Sequence, residues 1–253
     1  MRDGQTMPQP HANLILLMPR SGFTQHPLSS MPPPTIVTGA GGRLGRLVAE
    51  RLVASGASVA ALDRTAPDVA GALGIAADLA DEASTAAAFD RAEREIGTPR
   101  ALVHAVGMWD GRPFAETELD AWEAVMRTNL TTAFVCVREA VRRMLAAGAG
   151  SGAGGSVVLV ASGQGADRGV AQQGAYSAAK AGVIRLAEAV AAEHRADSIA
   201  VVTVAPSTLL FGGEPGGTLG VSAAAVADLC VRLCGPEALV HTGATLRAYG
   251  TAA

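Results

Sequence analysis

Aromatic residues are scarce in this chain. Two Trp, two Tyr and five Phe make up 4% of it, too few for the stacking platforms that single-stranded nucleic acid needs. Lys and Arg number 20 against 23 Asp and Glu, a net charge of −3. With no basic stripe, nucleic acid is not an expected partner. No apolar run approaches the ~18–20 residues that cross a bilayer, so no membrane partner is expected either. The three cysteines, Cys136, Cys230 and Cys234, cannot form a disulfide framework. Their apolar, helix-like surroundings point to buried thiols in a reducing compartment, the cytoplasm. Cys230 and Cys234 stand one helical turn apart, but no other Cys or His pair completes a set of ligands, so no metal is expected.

What is abundant is small and apolar. The chain has 253 residues, 49% of them hydrophobic and only 17% charged, with 30 glycines. That length accommodates one α/β domain with a large core. Residues 1–32 differ from the rest, mixing Pro, Gln and Ser with one short run, "LILLM". They read as a disordered or mis-called N-terminal extension, with Met31 a possible true start, and the short run does not make a signal peptide. From 33 to 253 strand-like and helix-like segments alternate. "TIVT", "SVAALD", "GIAAD", "ALVHAVG", "SVVLVAS", "SIAVVTVAP" and "GATLRAYG" read as strands. Helical spacing fills the intervals, including one long helix over 120–148, one over 174–195 and one over 221–235, and "GAGSGAGG" reads as a flexible turn. Crossover helices between strands imply one doubly wound parallel sheet of about seven strands with helices on both faces.

The segment "TIVTGAGGRLGR", 35–46, runs from the first strand into a helix through glycines. The spacing G-x-x-x-G-x-G fails because Arg43 stands at its middle glycine. G-x-x-G-x-x-G fits Gly39, Gly42 and Gly45. Gly39 can make the tight turn, Gly42 can let a pyrophosphate approach the backbone, and Gly45 can let helix and strand pack closely. The helix start at Arg43 and Leu44 offers free N–H groups to phosphate. Asp63 ends the second strand, where a carboxylate can accept from the hydroxyls of an adenosine ribose. It would repel a 2′-phosphate, which favours NAD over NADP, while Arg64 beside it could bind that phosphate. Asp63 also has a plainer reading, as a solvated acid at a strand end.

A second group carries acid–base chemistry. In "YSAAK", Tyr176 and Lys180 fall on one face of a helix at i and i+4. An ammonium beside a phenol lowers its pKa toward neutrality and makes it a usable proton donor and acceptor. Ser162 follows the strand "SVVLVA", at the sheet end where such folds bind ligand. Its hydroxyl can hold a carbonyl or alcohol oxygen for Tyr176, or it caps a turn. Asn129 lies inside the long helix, where asparagine is disfavoured unless it bonds to something. It can bend the helix and hold a water relaying protons from Lys180, or simply bond backbone. His104 reads as structural or on the cofactor side. Trp109 and Phe114 read as lining of a substrate pocket or as loop anchors.

From about Pro34 to Gly250 these residues together resemble the short-chain dehydrogenase/reductase family. The resemblance implies a Rossmann-type fold and an NAD(P)-dependent oxidoreductase that interconverts a small-molecule secondary alcohol and ketone. It implies the catalytic set Asn129, Ser162, Tyr176 and Lys180, with Tyr176 and Lys180 also touching the cofactor. Asp78 with Leu79 resembles the acid that contacts adenine. Val106 and Gly107 in "HAVG" resemble the strand end beside the adenosine ribose, and Pro206 in "VAPS" the segment covering the nicotinamide. A homodimer or homotetramer is implied as well, with Phe134, Val135, Val137 and Val141 on a helix of the kind that pairs between subunits.

The chain also departs from the family pattern. "HAVG" lacks both of the usual asparagines. The spacing from serine to tyrosine is one residue longer than usual. After Pro206 the lid "STLLFGGEPGGTLG" is short, and Phe211 stands near the place of a threonine that binds the carboxamide. A non-catalytic dinucleotide-binding sensor or assembly subunit, or a sugar or carrier-bound substrate, are the other readings these departures allow.

Overall fold

The computed structural model describes residues 32–148, 154–215 and 218–250. The expected extension at 1–32 and the centre of the "GAGSGAGG" turn lie almost wholly outside the described residues. Strand β1 (Thr35–Thr38) is short and buried throughout. It leads into helix α1 (Arg43–Ala54), whose N-cap is Gly42 and whose first turn has neither a side-chain cap nor an acid. Strands β2 (Val59–Asp63) and β3 (Leu73–Ala76) follow. Helix α2 (Glu82–Ile96) starts where the Asp81 side chain accepts from the Ser84 N–H, and it stops at Gly97 with φ 87°. Strand β4 (Ala101–His104) ends earlier than its apolar run suggests.

The helix expected over 120–148 is not one continuous α-helix. A 3-10 turn (Phe114–Glu116) precedes α3 (Leu119–Met126), a π-helical turn (Arg127–Thr131) interrupts it, and α4 (Thr132–Gly148) continues. Asn129 sits inside the π turn, the wider geometry that often marks functional sites. Strand β5 (Gly155–Val160), the one-turn helix α5 (Gly163–Ala166), the long α6 (Gly174–Glu193) and β6 (Ile199–Pro206) complete the central part. Beyond it come β7 (Leu209–Leu210), β8 (Val221–Ser222), α7 (Ala223–Arg232), α8 (Glu237–Val240) and β9 (Thr245–Ala248). The helix expected from 221 therefore begins at Ala223, because Val221 and Ser222 pair with Leu209 and Leu210.

The main sheet has seven parallel strands in the order β3-β2-β1-β4-β5-β6-β9. Alternation sorts its side chains into two layers. Ile36, Leu102, Val157, Leu159 and Val201 pack with Phe89, Met144 and Ile184 of α2, α4 and α6. Val37, Val103, Val158 and Val202 pack with Val48, Leu52, Val226 and Leu233 around α1 and α7. This is the expected doubly wound architecture. Strand order reverses between β1 and β4, so their C-terminal ends open the crevice where such sheets bind ligands. On α4, Val135, Val137 and Val141 turn into the chain's own core and Phe134 is half exposed, stacked by Arg138 at 4.9 Å. Three of the four side chains suggested for subunit pairing are thus spent internally. No helix among the described residues is long and apolar enough to cross a membrane.

One contact fixes how α1 leaves the sheet. A Cβ at Gly45 would lie 2.2 Å from the Gly39 carbonyl oxygen. Gly45→Ala must therefore push α1 off β1, at a cost of about 1–3 kcal/mol in urea denaturation. Gly169→Ala, where a Cβ meets nothing within 4 Å and φ lies outside the left-handed region, should be neutral or slightly stabilising. Equal effects from the two would contradict the close-packing role.

Candidate active site

The crevice at the β1–β4 switch begins with the glycine turn. Gly39 takes φ +74°, and a Cβ there would strike the Ala105–Val106 peptide at 2.7 Å. Gly42 is less constrained, since its Cβ would lie 3.3 Å from the Gly39 oxygen. The N–H of Gly41 donates to Asp63 Oδ2 at 3.0 Å, and the Arg64 N–H donates to Oδ1 at 2.7 Å. Asp63 is thus held at the mouth of the turn with acceptor capacity left on both oxygens. Asp78 faces a different partner. Its Oδ2 pairs with Arg127 at 3.0 Å, and its Oδ1 accepts from the Ala80 N–H. The Leu79 side chain is buried in the core, so only its backbone is left for a ligand. Val106 is partly buried against the same core.

Beside this turn lies a cleft of about 480 Å³ bordered by Leu44, Gly107, Trp109, Ser162, Tyr176 and Lys180, and closed further along by Pro206 and Leu209. Strand β5 delivers Ser162 to it. The serine caps α5, accepting from the Gln164 N–H at 3.4 Å, and its hydroxyl also bonds the Gln164 side-chain oxygen. Tyr176, in the first turn of α6, borders the same cleft as Ser162. Burial raises the Tyr176 phenol above its ordinary value, and the Ser162 hydroxyl draws it partly back. One turn further along α6, Lys180 is almost wholly buried and donates from Nζ to the Val160 carbonyl at 3.0 Å. Its Nζ lies 5.9 Å from the centre of the Tyr176 ring. Burial depresses it to about 8. The ammonium thus comes close to the phenol as the i, i+4 spacing requires, but desolvation governs the pKa of both groups.

Asn129 is fully buried and held by three hydrogen bonds to backbone. Its Nδ2 donates to the carbonyls of Met108 at 3.0 Å and Val125 at 2.9 Å, and its Oδ1 accepts from the Met108 N–H at 3.3 Å. The side chain therefore pins the loop after β4 to the π turn. Gly107 is where this cluster meets the strand end, since a Cβ there would lie 3.0 Å from Asn129 Oδ1 and 3.1 Å from Lys180 Nζ.

His104 stands at the first of the two positions where "HAVG" lacks the usual asparagines. Its Nδ1 lies 2.8 Å from the Thr38 hydroxyl and its Nε2 3.3 Å from that of Thr132. The Thr132 hydroxyl spends its hydrogen on the Thr128 carbonyl at 2.6 Å. The ring must then donate from Nε2 and accept at Nδ1. Burial, with Lys180 nearby, holds His104 down at about 3, so it stays neutral. It is a stitch between β1, β4 and the π turn.

Two departures from the family pattern touch each other. The Arg43 guanidinium lies 3.8 Å above the Phe211 ring. Glu214 holds the same bend, accepting from the N–H groups of Phe211 at 2.7 Å and Gly212 at 2.9 Å. The lid is tied again at its base by the β7–β8 pair and by the Val221 N–H donating to the Thr208 carbonyl. Trp109 borders the cleft although it is 62% exposed, whereas Phe114 is 80% exposed and lies over Gly174 outside it. Gln164 and Gln173, which also border the cleft, carry no motif, and no spacing rule could have singled them out. The three cysteines are buried and free, with Cys234 Sγ 3.3 Å from the Cys230 carbonyl.

A family model described as short chain dehydrogenase matches residues 34–210. The cis-4-hydroxycyclohexanecarboxylate dehydrogenase of Sinomonas cyclohexanicum is 37% identical over 194 residues, covering 71% of this chain and 76% of that protein. The D-threitol dehydrogenase of Mycolicibacterium smegmatis is 33% identical over 186 residues, covering 69% of each. Among solved structures, the 3-ketoacyl-(acyl-carrier-protein) reductase from Brucella melitensis complexed with NADH is similar with a TM-score of 0.78. Its identity is 28%, over 87% of this chain and 97% of that one.

The depressed Lys180 has a consequence for stability. An unfolded lysine titrates near 10.5 and the folded one near 8. Between those values the unfolded chain binds more protons, so stability rises with pH there, and it is lost again as pH falls through about 8. The stability of the wild type relative to Lys180→Met should therefore increase from about pH 7 to about pH 10 in chemical denaturation. A constant difference would mean that the ammonium is not desolvated.

Proposed function

We infer that this chain, which belongs to the short-chain dehydrogenase/reductase family, is an NAD-dependent oxidoreductase that interconverts a secondary alcohol and a ketone. That it acts on CH–OH groups follows from the family and from its dehydrogenase relatives. The observation that carries the finer reading is the meeting of Tyr176 and Ser162 on one cleft wall, with Lys180 buried one turn behind them.

The residues present fit a nicotinamide dinucleotide. The start of α1 has no side-chain cap and no acid; the Gly42 N–H donates to the Gly39 carbonyl at 3.0 Å, and the N–H groups of Arg43 and Leu44 are the ones left for a pyrophosphate. Asp63 stands where it can accept from ribose hydroxyls, and its charge supports NAD over NADP; Arg64 carries no opposing ion pair among the described residues. Asp78, Val106, Gly107 and Pro206 would border the adenosine and nicotinamide ends. When bound, the nicotinamide supplies the hydride acceptor or donor. The chain's own residues do the rest. The Ser162 hydroxyl turns from Gln164 to hold the substrate oxygen. Tyr176 takes or gives the proton at its phenol oxygen, and Lys180 steadies the charge that the phenol acquires. Asn129 keeps the loop at Met108 and the π turn in register around Lys180.

The rival reading, a non-catalytic dinucleotide-binding sensor, rested on the altered "HAVG" and the small lid. His104 takes over the stitching at the first, and Arg43 and Glu214 hold the second, so neither departure leaves the cleft unsupported. Residues 33–253 are proposed as the catalytic unit and the cytoplasm as its place, the latter from three free thiols. Tyr176→Phe is expected to lower alcohol or ketone turnover by at least about 100-fold while NADH binds as tightly as to the wild type and tighter than NADPH. Turnover surviving that change would remove the tyrosine from its role, and tighter NADPH binding would reverse the reading of Asp63.

A homodimer or homotetramer is proposed from the family resemblance and the half-exposed Phe134. Light scattering on a gel-filtration column should give at least twice the 25.5 kDa chain mass, and a monomer would contradict the proposal.

A further inference from the structure

The cleft does not end at Ser162. A second cavity of about 250 Å³ shares Gln164, Ser207 and Thr208 with it, so the two run into one another. The far side of this cavity is formed by Asp167, Arg168, Val170 and Tyr249. Its charges are unequally satisfied. Asp167 has a partner on each oxygen: Oδ1 accepts from Arg247 Nε at 2.7 Å, and Oδ2 accepts from the Tyr249 hydroxyl. The Tyr249 hydrogen bond, then Arg247, hold its carboxyl below the usual range. The Tyr249 strand end is fixed in turn by the Ser207 hydroxyl, which donates to the Tyr249 carbonyl at 3.0 Å. Arg168 is different. It is exposed on the cavity wall and makes no hydrogen bond or ion pair among the described residues, feeling Asp167 only through space. Among the described residues Asp167 is the single acid bordering either cavity, and it is opposed by two guanidinium groups, Arg168 and Arg247. One positive charge is left over, beyond the Ser162–Tyr176 pair and facing the same space.

We propose that the substrate is a hydroxy acid or its keto acid, with the carbinol carbon between Ser162 and Tyr176 and a carboxylate at the other end of the molecule read by Arg168. This rests on the oxidoreductase reading above. A planar guanidinium matches a carboxylate with two parallel N–H···O bonds. A single arginine with no lysine or free helix start among the described residues of the cavity wall suits a carboxylate rather than a phosphate, which gathers more donors. Val170, 40% exposed in the wall, and Leu209 in the cleft offer apolar cover to the carbon skeleton between the two ends. A neutral alcohol would leave Arg168 in water and gain nothing from it. Because Arg168 is solvent-exposed, screening limits its effect to about tenfold in affinity.

The test is a binding measurement independent of turnover. Cyclohexanecarboxylate and its neutral counterpart cyclohexanecarboxamide are titrated calorimetrically into the NAD-saturated full chain, into Arg168→Met and into Arg168→Lys. Circular dichroism melting of each variant serves as the folding control. The wild type should bind the acid about tenfold more tightly than the amide, Arg168→Met should bind the two alike, and Arg168→Lys should recover part of the preference. Equal binding to the wild type, a preference that survives in Arg168→Met, or no binding of the acid up to about 10 mM would each overturn the proposal. An enzyme that prefers the acid in this assay but turns over no alcohol or ketone would instead overturn the oxidoreductase reading.

Discussion

Everything at this site depends on how closely helix α1 approaches the end of β1. With no side chain at Gly45, the helix starts directly on the Gly39 carbonyl. That closeness aims an uncapped helix N-terminus at the crevice between β1 and β4. It also brings Gly41 within hydrogen-bond distance of Asp63, which ties β2 to the same turn. Gly39 in turn lets the Ala105–Val106 peptide of the β4 exit come close. Three strand ends are thus drawn together by the absence of two side chains. The free N–H groups and the one fixed carboxylate there suit a ligand with a phosphate at one point and hydroxyls at another.

The opposite wall of the cleft is built by burial of polar groups. Asn129, Lys180, Ser162 and His104 are all nearly inaccessible, and each has a named partner, as buried polar groups require. The arrangement is costly for charge. Lys180 is pushed down and Tyr176 up, so a phenolate facing an ammonium is not the resting state that spacing alone suggested. The neutral His104 spares Lys180 a second positive charge close by. An amide in that position would also be neutral. An imidazole with a pKa forced to about 3 achieves the same electrostatics with a different shape and a fixed tautomer.

Much of this was legible in the sequence because it depends on local rules. Strand runs and helical spacing located all seven strands of the main sheet, with ends misjudged by one to three residues where a strand's apolar run outlasts its ladder, as at Ala105–Gly107. Tyr176 and Lys180 declare themselves because i and i+4 share a face, and Ser162 because it ends an apolar strand. The π turn at Asn129 was legible only as a polar residue out of place. That the helix widens there depends on Met108, 21 residues earlier in the chain. The partnership of Arg43 with Phe211, the bonding of Asp167 to Arg247 and Tyr249, and the place of Gln164 between two cavities all join residues far apart in sequence or lack any motif. They are decided by which loops the sheet brings side by side.

The departures from the family pattern are best understood in pairs. Arg43 in place of a glycine would by itself put a long charged side chain at the mouth of the dinucleotide turn. Phe211 near the place of a threonine would by itself expose an aromatic ring on a short lid. Stacked together at 3.8 Å they cover one another, and the Glu214 carboxylate fixes the bend that presents the ring. A cation on an aromatic face is worth about 0.5–1 kcal/mol at an exposed site, enough to bias a short lid toward the turn and too little to lock it there. The same lid contributes Thr208 to both cavities, so its position sets how far the cleft opens toward Arg168. Cofactor turn, lid and the charged end of the substrate space are thereby mechanically linked, through side chains that the usual family pattern does not contain.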